Sequence, residues 1–102
     1  MLNFNFFTGH IVGPPTLILK GESTPLTALT LDLTVNNRSA GMITVVCRQP
    51  LAMIAAKCLR DKDYVVIEGF ICRDKIPVGD GTYVFDAHLV AFEILKCEPL
   101  SL

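Results

Sequence analysis

Apolar and polar residues alternate over Leu2 to Ile11 (L-N-F-N-F-F-T-G-H-I), with Leu2, Phe4 and Phe6 on one parity and Asn3 and Asn5 between them. That period of two predicts a strand with one buried face. Gly9 interrupts the run, as glycine does where a strand bends or bulges. Gly13-Pro14-Pro15 predicts a break, and K-G-E-S-T-P from Lys20 to Pro25 a turn. Leu29, Leu31, Leu33 and Val35 then alternate with Thr30, Asp32 and Thr34, so Leu26 to Val35 reads as a half-buried strand. N-N-R-S-A-G from Asn36 to Gly41 is expected to be a short polar loop.

Met42 to Arg48 is rich in β-branched residues and predicts a third strand. The period then changes. Pro50 suits the first turn of a helix, and Leu51, Ile54, Ala55, Cys58 and Leu59 fall on one stripe at 3.6-residue spacing. R-D-K-D (Arg60 to Asp63) is expected to close that helix in solvent. Tyr64 to Ile71 is an apolar strand carrying the single charge Glu68. Asp74 to Gly81 (D-K-I-P-V-G-D-G) predicts a loop, and Thr82 to Lys96 the last strand, with Tyr83, Phe85, Ala87 and Leu89 on one parity.

Five strands with one helix between the third and fourth is the element order of the OB-fold. In that all-β barrel the helix stoppers one end. A β-sandwich with an incidental helix accounts less well for where the helix falls. The whole chain, 1–102, is expected to be a single domain, with no internal repeat or linker.

Composition adds two constraints. Hydrophobic residues make up 51% of the chain and charged residues only 19%. A small domain has much surface to cover, so part of this apolar surplus is expected to be covered by a partner, most simply a second copy. Nine basic residues against ten acidic ones give a net charge of −1, which is not the footprint of a general nucleic-acid binder but is compatible with a local basic groove.

Cys47, Cys58, Cys72 and Cys97 form no C-x-x-C pair, and only His10 and His88 exist to complete a metal site. Buried or half-buried free thiols are expected, with no metal and no cofactor. Reduced thiols and the lack of a secretory pattern point to the cytoplasm, with association at the nucleoid and no membrane. No phosphate-binding loop, calcium loop or nucleophile triad is present, and His10, His88, Asp61, Asp63 and Glu68 form no catalytic pattern, so an enzyme is not expected.

Residues 42–95 resemble the bacterial-type single-stranded DNA-binding (SSB) proteins. The stretches that carry the likeness are the helix L-A-M-I-A-A-K-C-L-R, the strand V-V-I-E-G and the closing Y-V-F-D-A-H-L-V-A-F-E-I-L. The N-terminal half fits more loosely, through a strand ending near Gly9 and the Leu26–Val35 strand. The resemblance implies non-sequence-specific binding of single-stranded DNA in replication, recombination or repair, by a basic groove with aromatic platforms for the bases. The positions where that family usually carries aromatics hold Met42, Arg48, Ile76 and the segment Asn37 to Ser39. Each base–aromatic stack is worth roughly 1–3 kcal/mol, so losing three or four without replacement removes at least about 3 kcal/mol. The family's acidic tail is also missing, since the chain stops at E-P-L-S-L.

Four basic residues are the expected backbone contacts: Arg38, Arg48, Arg73 and Lys75. Arginine can stack on a base and neutralise a phosphate at once, so Arg48 is a substitute for a lost aromatic. Phe70, Tyr83 and Phe85 are the aromatics expected near that face. Phe4, Phe6, Phe7 and Phe92 read as core or interface. Leu2, Phe4 and Phe6 are expected to form a dimer edge, because the resemblance implies dimerisation through the first strand and a bare apolar edge invites pairing. The leading reading is a homodimeric or homotetrameric binder of single-stranded DNA, or of RNA. The alternative is a protein-interaction subunit of a replication-restart assembly, like the small primosomal PriB-type proteins, which are similar in length and also tailless.

Overall fold

The computed structural model describes residues 5–18, 25–36 and 38–97, and of Ile76 and Phe85 the backbone alone. Five strands and a helix follow in the order β1 (Asn5–Ile18), β2 (Leu26–Val35), β3 (Arg38–Arg48), α1 (Leu51–Cys58), β4 (Tyr64–Gly79) and β5 (Thr82–Cys97). The strands close a barrel in the spatial order β1-β2-β3-β5-β4, with β4 returning to β1. Only β3 and β5 run parallel, with Val46 opposite Val90. Closure leaves the small sheet without a continuous bare edge.

The inward parity of each strand makes the core. Ile11, Leu29, Leu31, Val45, Cys47, Val65, Ile67 and Leu89 are buried there, and Ala55 and Leu59 close one end from the helix side. Each fully buried aliphatic side chain contributes about 1.5–3 kcal/mol. The helix meets the barrel through Ala52, Ala55 and Leu59, with Leu51 partly buried, whereas Ile54 is 55% exposed and Cys58 faces solvent. The expected stripe is therefore rotated. Two alanines let the eight-residue helix lie close to the barrel floor, and a helix of two turns has room for only one narrow buried face. Thr27, itself fully buried, fixes this contact by donating from Oγ1 to the Ala52 carbonyl at 2.6 Å.

Three expected loops turn out to be strand. β1 continues through Gly13-Pro14-Pro15 as a bulge: Val12 pairs with Thr30 and Thr16 with Ala28, so three residues face Leu29 alone. Both prolines thus sit where the ladder asks for no amide donor, and Gly13 takes φ +77°. The Asn36–Gly41 loop shrinks to a tight turn, because Arg38 already pairs with Val35 and a second bulge at Ala40 absorbs the slack. The Asp74–Gly81 loop is a β-hairpin. Asp80 (φ +50°) and Gly81 (φ +73°) form its two-residue tip, the Asp-Gly turn whose twist matches the strands. Lys75 to Tyr83 is exposed wherever side chains are described, so the hairpin projects beyond the barrel.

Arg60 to Asp63 does more than end the helix in solvent. Ile11 donates its amide to the Asp63 carbonyl (2.9 Å) and accepts from the Lys62 amide (2.7 Å), while Asp61 accepts from the Gly13 amide (2.8 Å). The turn is bonded to β1 just before the proline bulge, and Lys96 closes it from β5 through Asp63 at 3.2 Å.

Candidate nucleic-acid interface

Because Val45 and Cys47 point into the barrel, the alternate residues Met42, Thr44, Val46 and Arg48 point out. The neighbouring outward positions are His88 and Val90 on β5 and Phe70 and Cys72 on β4, as the pairs Thr44–His88, Val46–Val90, Phe70–Val90 and Cys72–His88 require. One outer face thus runs from Met42 across β3, β5 and β4 to Phe70.

An irregularity next to this face decides its character. Glu68 pairs with Glu93 but Gly69 pairs with Ala91, so the ladder steps over Phe92. This bulge turns two consecutive residues outward: Phe92, 49% exposed, and Glu93. Gly69 permits it. A Cβ at that position would collide with the Val90 carbonyl oxygen, so only glycine lets β4 approach β5 this closely. The Phe92 ring consequently rests on Phe70, with centroids 5.1 Å apart and planes at 43°.

A groove of about 320 Å³ opens beside this pair. Phe70 and Phe92 form one wall, Arg48, Gln49 and Pro50 the other, and buried Val90 the floor. No carboxylate lines it.

The hairpin carries a second cluster. Lys75 places its ammonium 4.0 Å from the centre of the Tyr83 ring, a cation–π contact. Arg73 and Lys75 share one parity of β4, and Tyr83 lies opposite Pro77 on the same side. The other side carries Asp74 directly opposite Asp86, with His88 Nδ1 3.5 Å from Asp74 Oδ2. The hairpin therefore has a cationic, aromatic face and an acidic one.

No family model matches the chain, and no curated protein does. Solved structures do. A small single-stranded DNA-binding protein from Streptomyces coelicolor superimposes with a TM-score of 0.73 at 20% identity, over 92% of this chain and 93% of that one. The SSB of Plasmodium falciparum in complex with single-stranded DNA superimposes with a TM-score of 0.79 at 12% identity, over 96% of this chain and 97% of that one. The chain has the OB-fold of the SSB proteins.

On this OB barrel the anticipated residues fall into separate groups. Arg48 and Phe70 come together in the groove, and Lys75 and Tyr83 in the hairpin, with Arg73 on the same strand as Lys75. Phe85 stands opposite Lys75 in the ladder. Arg38 is exposed at the far end of β3 from Arg48, ten residues away, or about 33 Å along the strand. Phe6 is 73% exposed and pairs with Glu68 on the outer face of β1 and β4, while Phe7 packs against the core. Leu2 and Phe4 lie outside the described residues. Phe92, read from sequence as core or interface, is the groove residue that sequence reasoning missed, together with Gln49. The alternation of β5, which sets Phe92 on the parity of His88 and Val90 and opposite to Leu89, is the signal that could have found it.

Burial also acts on one thiol. Cys47 is enclosed by the core, which pushes its pKa from the ordinary 9.0 to about 11. All four cysteines are free thiols, and Cys58 is exposed rather than buried as anticipated, because it lies on the solvent side of the rotated helix.

Proposed function

We propose that this chain binds single-stranded DNA without base specificity and works as a binding module rather than an enzyme. The observation that carries the reading is the end-to-end superposition on two SSB barrels, one of them in complex with single-stranded DNA. The outer face supplies a cation beside two aromatic rings at the groove, and the hairpin adds a second cation–ring pair on its other side. With a chain charge of −1, attraction to the phosphates has to be local. Replication, recombination or repair in the cytoplasm is the setting, and a homo-oligomer covering the apolar surplus is its form. Phe6 and Leu95, 73% and 58% exposed on the outer faces of β1 and β5, support that last point.

Titration of labelled oligo-dT at several salt concentrations tests the reading. Each phosphate neutralised on a single strand contributes about −0.7 to the slope of log affinity against log salt. Three or four of Arg38, Arg48, Arg73 and Lys75 in contact with the strand give a slope of about −2 to −3. Absence of binding at low salt overturns it.

A further inference from the structure

We propose that the groove between Arg48 and the Phe70–Phe92 pair seats a single nucleobase, with Phe92 as its stacking surface and Arg48 on the adjoining phosphate. The proposal rests on the reading of the chain as a single-strand binder and assigns the place where one base is held. The usual platform positions of β3 hold Met42 and Arg48, neither of them a ring. Phe92, on the outward parity of β5, supplies a ring to the same groove from another strand.

Four features choose the occupant. The groove has two apolar rings inclined at 43°, of which Phe92 is half exposed. Its volume of about 320 Å³ is near the bottom of the range for small-ligand sites, so it takes one planar group and not a run of stacked ones. Among the described residues its lining includes a guanidinium and no carboxylate, although Glu93 is exposed next to Phe92, and the guanidinium favours a group with an anionic attachment. Finally, the Gln49 amide both donates and accepts, so it can serve the polar edge of any base, in keeping with binding that ignores sequence. An apolar side chain of another protein would use the wall but leave the guanidinium without a matching anion.

The chain contains no tryptophan. Phe92→Trp therefore installs a single emitter in the groove while keeping a ring there. Oligo-dT should quench that emission as it saturates the protein, and a length-matched abasic oligonucleotide should not. Phe92→Leu should weaken oligo-dT binding about fivefold or more, by the loss of one stack, with an unchanged salt slope and an unchanged thermal melt. Abasic strand should bind the wild type and Phe92→Leu equally. Arg48→Gln should do the reverse of Phe92→Leu, making the slope shallower by about 0.7.

Saturation of the Phe92→Trp protein without any change in emission overturns the proposal. So does a Phe92→Leu protein that holds oligo-dT like wild type, and a fall in its solution mass would then assign the groove to contact between copies. If the wild type itself fails to bind oligo-dT at low salt, the functional reading falls first and the groove has no base to seat.

Discussion

Lys75 lies over the ring of Tyr83, its ammonium 4.0 Å from the ring centre, on a hairpin whose other side pairs Asp74 with Asp86. The two faces of one ribbon thus carry opposite charge. A polyanion can pass along the lysine side, and is repelled from the aspartate side. Lys75→Gln is expected to make the salt slope for oligo-dT shallower by about 0.7. Tyr83→Leu should leave the slope alone and cost about 1 kcal/mol of affinity. Conversion of both aspartates to asparagine should strengthen binding at low salt and leave high-salt affinity unchanged. Titrations at three salt concentrations check all three, and a steepened slope for Lys75→Gln would contradict the sidedness.

At Gly69 β4 lies so close to β5 that any side chain there meets the Val90 carbonyl. Gly69→Ala should cost at least about 2 kcal/mol, since neither backbone can retreat without breaking the ladder. Urea denaturation at equilibrium measures it. Because the same glycine admits the bulge, this variant should also weaken oligo-dT binding under conditions where it remains folded.

The Thr27 hydroxyl holds the helix to the barrel through the Ala52 carbonyl, deep in the protein. Thr27→Val keeps the shape and removes the hydrogen bond. A loss of about 1 kcal/mol is expected, visible as a lower urea midpoint with the same m-value.

Cys47 should be silent towards thiol reagents in the native protein at pH 8, while the exposed Cys58 reacts at once. Its folded pKa of about 11 lies above the unfolded 9.0, so the unfolded chain gives up this proton first. Stability from this group is fully present below pH 9 and is lost as pH rises from about 9 to 11, by about 1.4 kcal/mol per pH unit within that window. Cys47→Ala should flatten this part of the stability–pH curve, as chemical denaturation at pH 8, 9.5 and 10.5 will show.

Strict alternation was enough to find β2 to the residue, since Leu29 and Leu31 face the core and no bulge falls among them. The helix was equally legible from the change of period, and its buried side in part: Ala55 and Leu59 are buried as the stripe predicts, whereas Ile54 and Cys58 are exposed. Ala52 is small enough to be overlooked by a pattern that weights leucine and isoleucine, yet it is fully buried alongside Ala55 and Leu59. Glycine and proline misled in two places. G-P-P and P-V-G-D-G read as interruptions, whereas the barrel carries the first as a bulge and the second as the end of a paired ribbon.

The interface was partly legible for a similar reason. Arg48 and Phe70 each stand at a strand position whose direction follows from simple parity, and they meet. Phe92 stands on the same outward parity as His88 and Val90, and the bulge opposite Gly69 adds Glu93 to that side. Only the paired ladder shows that the ring meets Phe70.

Pro14 and Pro15 leave β1 with two successive positions that lack an amide hydrogen, in the stretch that stands outside the ladder with β2. A foreign strand approaching there meets carbonyl acceptors but no amide donor from either proline. In a chain that is 51% hydrophobic, that gap works against edge-to-edge pairing along the rim.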